Sequence, residues 1–307
     1  MISSGPVSLA RFAWLSVAAA VATIALKTVA YRLTGSVGLL SDALESVVNL
    51  AAALLTLGMV TLAARPPDEE HAFGYGKAEY FASGAEGVLI LAAAAAIGWT
   101  SIHRLGAPRA IERAGLGVAV SAAASLVNLV VARVLLRAAR RRHSIALEAD
   151  AHHLMTDVWT SLGVVAAIGA VAATGWLVLD PLIALAIAAQ ILRTGAKLVR
   201  RSLHGLLDRA LAPDEQEAVR RVLARHQAGD VQFHALRTRQ AGARRFVALH
   251  VLVPGNWSVR RGHALCEQLE LEICGEIPNA TVFTHLEAVE DPASFEDQGL
   301  DRSPPRP

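Results

Sequence analysis

Two short stretches carry side chains that could hold a cation. In Leu40-Ser41-Asp42-Ala43-Leu44-Glu45-Ser46-Val47-Val48-Asn49 the polar groups Asp42, Glu45 and Asn49 fall at i, i+3 and i+7, which a helix turns to one face. Asp150, His153 and Asp157 repeat that spacing, with His152 beside them. Two such faces turned toward each other would bring carboxylate oxygens and an imidazole nitrogen to one point, a mixed donor set suited to a divalent first-row metal. The competing reading is that these side chains only join helices, as Ser, Asn and His do in membranes. Two helices that each present three polar groups at ligand spacing favour the metal. Glu86 and Asn128, each a lone polar residue in its own apolar run, read as structural.

Further candidates lie outside these runs. Asp68 and His71 share the loop Arg65-Pro66-Pro67-Asp68-Glu69-Glu70-His71-Ala72-Phe73-Gly74-Tyr75-Gly76-Lys77-Ala78-Glu79 and could hold a metal in one turn, although acidic loops are usually just solvated. Toward the C-terminus His234 and His250 fall on adjacent expected strands, His263 opens the following helix, and His285 and Glu287 sit at i, i+2 on one strand face. Three strands each offering a ligand point to a second binding site. His103, His143, His204 and His226 have no partner by spacing. Cys266 and Cys274 are too few for a disulfide framework and lack a C-x-x-C spacing, so they read as reduced and inert.

The elements that must position these groups are unusual for a water-soluble chain. The 307 residues are 53% hydrophobic and only 18% charged, against roughly 25% in soluble domains, and mean hydropathy is +0.40. Apolar runs long enough to cross ~30 Å of hydrocarbon occupy 9–32, 36–64, 80–104, 112–138, 146–174 and 177–205. The first is too long for the apolar core of a signal peptide and is expected to stay in the mature protein. Arg65 and Lys77, Arg137 to Arg142, and Arg193 to Arg209 follow the second, fourth and sixth runs, which places both termini in the cytoplasm; the arginines at 104, 109 and 113 oppose this and are outnumbered. A net charge of +2 without a basic run interleaved with aromatics leaves nucleic-acid binding without support.

From Ala212 the texture changes. Pro213-Asp214-Glu215 starts a helix, strands follow over 231–239 and 244–253 around an Ala241-Gly242 turn, then a helix over 259–275 and a strand over 280–289. The expected architecture is a membrane six-helix all-α domain (1–208) followed by a soluble α+β domain of order α-β-β-α-β (209–290), with 291–307 a disordered tail.

Three motifs together resemble the cation diffusion facilitator family: Ser36-Val37-Gly38-Leu39-Leu40-Ser41-Asp42-Ala43, Phe73-Gly74-Tyr75-Gly76-Lys77-Ala78-Glu79, and Asp150-Ala151-His152-His153-Leu154-Met155-Thr156-Asp157. The resemblance covers about residues 9–290. It implies a six-helix membrane domain and a ferredoxin-like cytoplasmic domain, paired as a homodimer in the inner (plasma) membrane, that exchanges a cytoplasmic divalent cation for protons. It further implies a transport site on Glu45, Asn49, His153 and Asp157. Members of the family usually carry aspartates at both helix-two positions, so Glu45 lengthens one ligand and Asn49 removes a charge. The metal is thereby left open, Zn2+ first, with Fe2+, Co2+, Ni2+, Cd2+ or Mn2+ as alternatives; Asp42, one turn before Glu45, is a further candidate ligand. A loop site would fall on Asp68 and His71, but Tyr75 stands where a third imidazole is usual, so this site should be weak. A regulatory cytoplasmic site would fall on His234, His250, His263, His285 and Glu287, and Lys77 with Asp208 match an ion pair that interlocks protomers. Two other classes compete with this reading: an intramembrane metalloenzyme, for which H-E-x-x-H is missing, and a membrane-anchored metal sensor, for which six spans are excessive.

Overall fold

The computed structural model describes residues 7–34, 37–106, 115–296 and 298–300. The chain divides into two compact units, 1–204 and 205–307. The first holds six helices: α1 (Val7–Thr34), α2 (Val37–Ala63), α3 (Ala78–Gly106), α4 (Gly115–Arg142), α5 (Ile145–Thr174) and α6 (Leu179–Leu206). All six are long and apolar enough to cross a membrane. Their bounds fall within a few residues of the apolar runs, because hydrocarbon admits only segments whose backbone hydrogen bonds are closed internally.

The outer surface of this unit is apolar, with Trp14, Phe81, Trp99, Leu126 and Leu162 exposed, as a lipid-facing surface requires. Its interior is built from small residues: Ala13, Ala82, Ala132, Ala146, Ala149 and Ala151 are fully buried. Between lipid-embedded helices there is no hydrophobic drive, so close backbone approach and van der Waals contact hold the bundle. α3 and α6 show this directly. A Cβ on Gly87 would stand 2.8 Å from Val199 Cγ2 and 3.0 Å from the Val199 backbone nitrogen. Beside this contact Ile90, Ala94, Ile191 and Leu198 are buried together.

The start of α5 is pinned to the start of α3. Ser144 caps α5 through its hydroxyl, which accepts from the Leu147 N–H. The same hydroxyl donates to Glu79 Oε2 at 2.5 Å, and the Ala146 N–H donates to that oxygen at 3.3 Å. A carboxylate at a helix N-terminus both satisfies an orphan N–H and meets the positive end of the dipole. With its first turn fixed, the rotation of α5 about its axis is fixed too.

The second unit contains α7 (Pro213–His226), β1 (Gln232–Ala241), β2 (Arg244–Val253), α8 (Val259–Glu276) and β3 (Ala280–Ala288). The sheet order is β1-β2-β3, with β1 antiparallel and β3 parallel to β2, the α-β-β-α-β order expected. Gly242, at φ 60, makes the tight β1–β2 turn. Val247, Leu249, Val251 and Val253 alternate along β2 into a core shared with Val219 and Val222 of α7 and Leu269 and Ile273 of α8. Both helices therefore cover one face of the sheet, and the pleat turns His250 to the other.

The expectation of disorder from 291 onward needs correction at its start. Pro292–Phe295 form a 3-10 turn (η1) in which Asp291 caps the Ala293 N–H and the Ser294 hydroxyl donates to the Ala288 carbonyl at 2.8 Å. These local bonds give a Pro- and Asp-rich stretch an order that its low apolar content does not suggest. Residues 301–307 lie outside the described residues.

Gly87→Val should overpack the α3–α6 contact and cost about 1–3 kcal/mol, whereas Gly98→Ala, with nothing within 4 Å of the added carbon, should be silent. Thermal unfolding of the detergent-solubilised protein, followed by tryptophan fluorescence, compares the two.

Candidate metal centres

Four helices converge on His153. Its Nε2 lies 2.8 Å from Asn49 Oδ1 on α2. The Asn49 amide donates to Asp157 Oδ2 at 2.7 Å, and Asn128 from α4 donates to the same oxygen at 3.0 Å. On the far side of the ring, His153 Nδ1 lies 3.0 Å from Glu86 Oε2 of α3. Glu86 Oε1 accepts from the Thr56 hydroxyl at 3.3 Å. His153 and Asp157 are four apart on α5 and so share one face.

Three of the sequence-derived ligands, Asn49, His153 and Asp157, thus meet. Glu45 and Asp42 belong to the 33–45 segment, whose side chains lie outside the described residues. Asp150, grouped with His153 and Asp157 by spacing, accepts from the Ser16 hydroxyl of α1 at 2.9 Å and stays within electrostatic reach of Glu86 and His153. Glu86 and Asn128, read from the sequence as structural, also reach this cluster. Each is alone in its own helix, yet packing brings both to the cluster. The available signal was their cost: a single carboxylate or amide deep in an apolar run persists only where a partner awaits it.

The 64–77 loop is organised by Asp68. Its Oδ1 accepts from the His71 backbone N–H at 2.7 Å, and its Oδ2 accepts from the Tyr75 hydroxyl. This phenol holds the Asp68 carboxyl below its ordinary range, and the carboxylate in turn pushes the phenol up. Tyr75 therefore takes part as a protonated donor to the carboxylate. His71 Nδ1 stands 3.4 Å from Asp68 Oδ1, with both side chains about half exposed.

In the soluble unit the register aligns His234 with His250 and His250 with His285 across all three strands. Glu287, two residues along β3 from His285, reaches back beneath this row. Its Oε2 lies 2.9 Å from His234 Nε2 and 3.3 Å from His250 Nδ1. The ligand atoms of His234, His250 and Glu287 all fall within 4.8 Å of one another. His285 is at the rim, 65% exposed with Nε2 3.5 Å from Glu287 Oε1. His263 is not brought to the cluster: it is exposed on α8, 3.8 Å from Glu267. Sequence spacing also missed two supports. A bulge interrupts the β1–β2 register after His234, with Ala235 at φ 51, and bulges re-aim the adjoining side chain. The Phe295 ring of η1 stands edge-on to His234 with centroids 5.8 Å apart.

Of the residues expected to interlock protomers, Asp208 in the second unit meets Arg239 Nη1 at 3.3 Å, and Lys77 stands at the turn that leads into α3 in the first.

Six membrane-length helices around a buried imidazole–carboxylate cluster, followed by a small α+β domain with a His/Glu cluster, define a multi-pass membrane protein built to handle cations. Comparison with known families agrees. Residues 13–207 match the cation efflux transmembrane domain and residues 211–289 the cation efflux protein cytoplasmic domain. The chain belongs to the cation diffusion facilitator family, a family of cation efflux transporters and not of enzymes. It is 50% identical over 294 residues to the transporter sll1263 of Synechocystis sp., covering 96% of this chain and 94% of that one. It is 35% identical to the cation-efflux pump FieF of Serratia proteamaculans, covering 92% and 93%. Among solved structures, the metal-bound C-terminal domain of the CzcD transporter from Thermotoga maritima is 25% identical over 26% of this chain and 92% of that one, with a TM-score of 0.24.

Zinc should raise the thermal midpoint of the full-length protein, and Glu287→Ala, which removes the carboxylate common to all three histidines, should abolish most of that rise. His71→Ala should leave both transport and the zinc-dependent shift nearly intact, because a loop in which Tyr75 already engages Asp68 offers too few ligands for a tetrahedral site. Differential scanning calorimetry with and without zinc reads the stability effects, and flux into proteoliposomes reads transport.

Proposed function

We propose that the protein exports a divalent first-row cation, zinc foremost, from the cytoplasm in exchange for protons, as a homodimer in the inner membrane with both termini cytoplasmic. The observation that carries this reading is the meeting of Asn49, His153 and Asp157, from two helices, at one buried point. Glu45 joins them as the fourth ligand. A nitrogen donor with carboxylate and amide oxygens suits borderline metals better than calcium or magnesium. The family's efflux activity and the FieF relatives support the direction.

The chemistry of the cluster supports proton exchange. Asn49 turns its carbonyl to His153 Nε2, and a carboxylate faces His153 Nδ1. An amide oxygen thus lies at Nε2 and a carboxylate oxygen near Nδ1, surroundings that would favour an imidazolium. Turning the Asn49 amide over would set its oxygen against an oxygen of Asp157, a contact that needs a proton on that carboxyl instead. Either way a proton would sit on a group whose lone pair the metal needs, and metal binding would release it.

In the soluble domain the site on His234, His250, His285 and Glu287 acts as a regulatory metal site, to which His263 contributes by way of the dimer. Lys77 and Asp208 pair between protomers. A sensor that uses its helices only as an anchor is the second reading, which the soluble His/Glu cluster favours. It predicts metal binding without flux.

Metal-dependent proton flux in proteoliposomes, run across zinc, cadmium, cobalt, nickel, iron and manganese, separates the two. Asp157→Ala should abolish flux while the protein stays folded, and wild-type flux from it would overturn the site. Asn49→Asp should tighten binding and change the metal ranking in the same assay, and an unchanged ranking would remove Asn49 from the site.

A further inference from the structure

Glu86 lies about 12 Å along α3 from its start, at 1.5 Å per residue, and is fully buried. A carboxyl group at such a depth is costly, about 2.5–3.5 kcal/mol on insertion scales, and two elements answer it. From α2 the Thr56 hydroxyl donates to Oε1, and from α5 His153 Nδ1 stands 3.0 Å from Oε2. Among the described residues, buried Glu86 Oε2 and His153 Nδ1 have no hydrogen-bond partner apart from this approach to each other. The opposite ring nitrogen of His153 faces Asn49 and, through it, Asp157.

The charge balance of the cluster gives this pairing a purpose. Around the meeting point the described groups are one carboxylate, Asp157, one imidazole and the neutral amides of Asn49 and Asn128. With Glu45 the proposed ligand set carries two carboxylates, one fewer than with an aspartate at position 49, so a further negative charge nearby would strengthen the hold on a divalent cation in a low-dielectric medium. Glu86 stands one imidazole ring away, facing His153 Nδ1 at 3.0 Å, with buried Asp150 of α5 also within electrostatic reach of both. Metal-bound histidines commonly donate their second N–H to a carboxylate, which fixes the ring and raises its basicity toward the metal.

We infer that Glu86 is a positioning residue of the intramembrane cation site: it holds the His153 ring with Nε2 toward the cation and supplies negative charge from α3. The inference rests on the transport site proposed above. Glu86 does not touch the cation and acts only through His153.

The test uses the full-length protein in detergent, in a Glu287→Ala background that removes the soluble-domain site, with zinc affinity read by competition against a chromophoric chelator and the thermal midpoint read alongside. Glu86→Gln keeps the shape and an acceptor for Thr56 but removes the charge. It should weaken zinc binding about 10–100-fold with the midpoint little changed. Glu86→Asp, which keeps the charge, should bind more tightly than Glu86→Gln. Adding Asn49→Asp to Glu86→Gln puts a carboxylate on the opposite side of the same ring and should restore most of the affinity. Wild-type affinity in Glu86→Gln while Asp157→Ala has lost binding would overturn the role of Glu86 and leave the transport site standing. Unchanged binding in both would remove the site and the inference with it. A loss that Asn49→Asp does not restore, or a Glu86→Asp protein as weak as Glu86→Gln, would show that Glu86 merely joins helices and would also overturn it.

Discussion

Hydrocarbon offers no hydrogen bonds, and the membrane unit is arranged around that constraint. Every buried polar group must find its partner within the protein, on its own helix or on another, or bear the full cost of desolvation. Glu79 meets it with the hydroxyl of Ser144 and the first N–H groups of α5, and Asp150 with Ser16. The largest such set joins Asn49, Thr56, Glu86, Asn128, His153 and Asp157 across α2, α3, α4 and α5. These bonds are directional, whereas the alanine and glycine contacts around them are not. Small-residue packing lets the helices approach, and the polar set decides which rotation of each helix is adopted. The proposed cation site is therefore also the specification of the bundle.

The soluble unit solves the opposite problem. Its sheet has water available, so one face can be buried against α7 and α8 while the other carries polar side chains. Strict alternation along β2 sends Val247, Leu249, Val251 and Val253 inward and leaves His250, between Leu249 and Val251, on the outer face. Parallel pairing then sets His285 directly beside His250, and Glu287 falls one repeat along the same face. The bulge at Ala235 completes the row from β1. A cation binding there works against no membrane and meets half-open ligands, which suits exchange with bulk metal better than the closed intramembrane cluster does.

What could be read from the sequence follows the range of the forces involved. Span limits and strand order were legible because hydropathy and periodicity are local. His153 with Asp157, four apart, and His285 with Glu287, two apart, were legible because one element carries both members of each pair. Glu86 and Asn128 were not, since each is solitary on its own helix and its partner is chosen by packing. The spacing keeps Asp150 near the face of His153 and Asp157, but its bond to the Ser16 hydroxyl was not legible, since α1 is supplied by packing. His263 shows the limit in the soluble domain, for its position beside the sheet in sequence says nothing about its 69% exposed side chain on α8.

Asn49 links these levels. An aspartate there would set a second carboxylate against Asp157 Oδ2, at the 2.7 Å now spanned by an N–H···O bond, and two carboxylates so close in a membrane repel unless a cation or proton lies between them. The amide removes that repulsion and ties α2 to α5. It also takes a negative charge from the place where the proposed cargo would sit. A charge returned from a position that does not reopen the repulsion would offset that loss. Glu86 occupies such a position, separated from Asp157 by the His153 ring and the Asn49 amide, with the positively polarised N–H edge of an imidazole between the two carboxylates. The stability of the bundle and the attraction for a divalent ion, which conflict when both charges stand on α2 and α5, are in this way distributed over three helices.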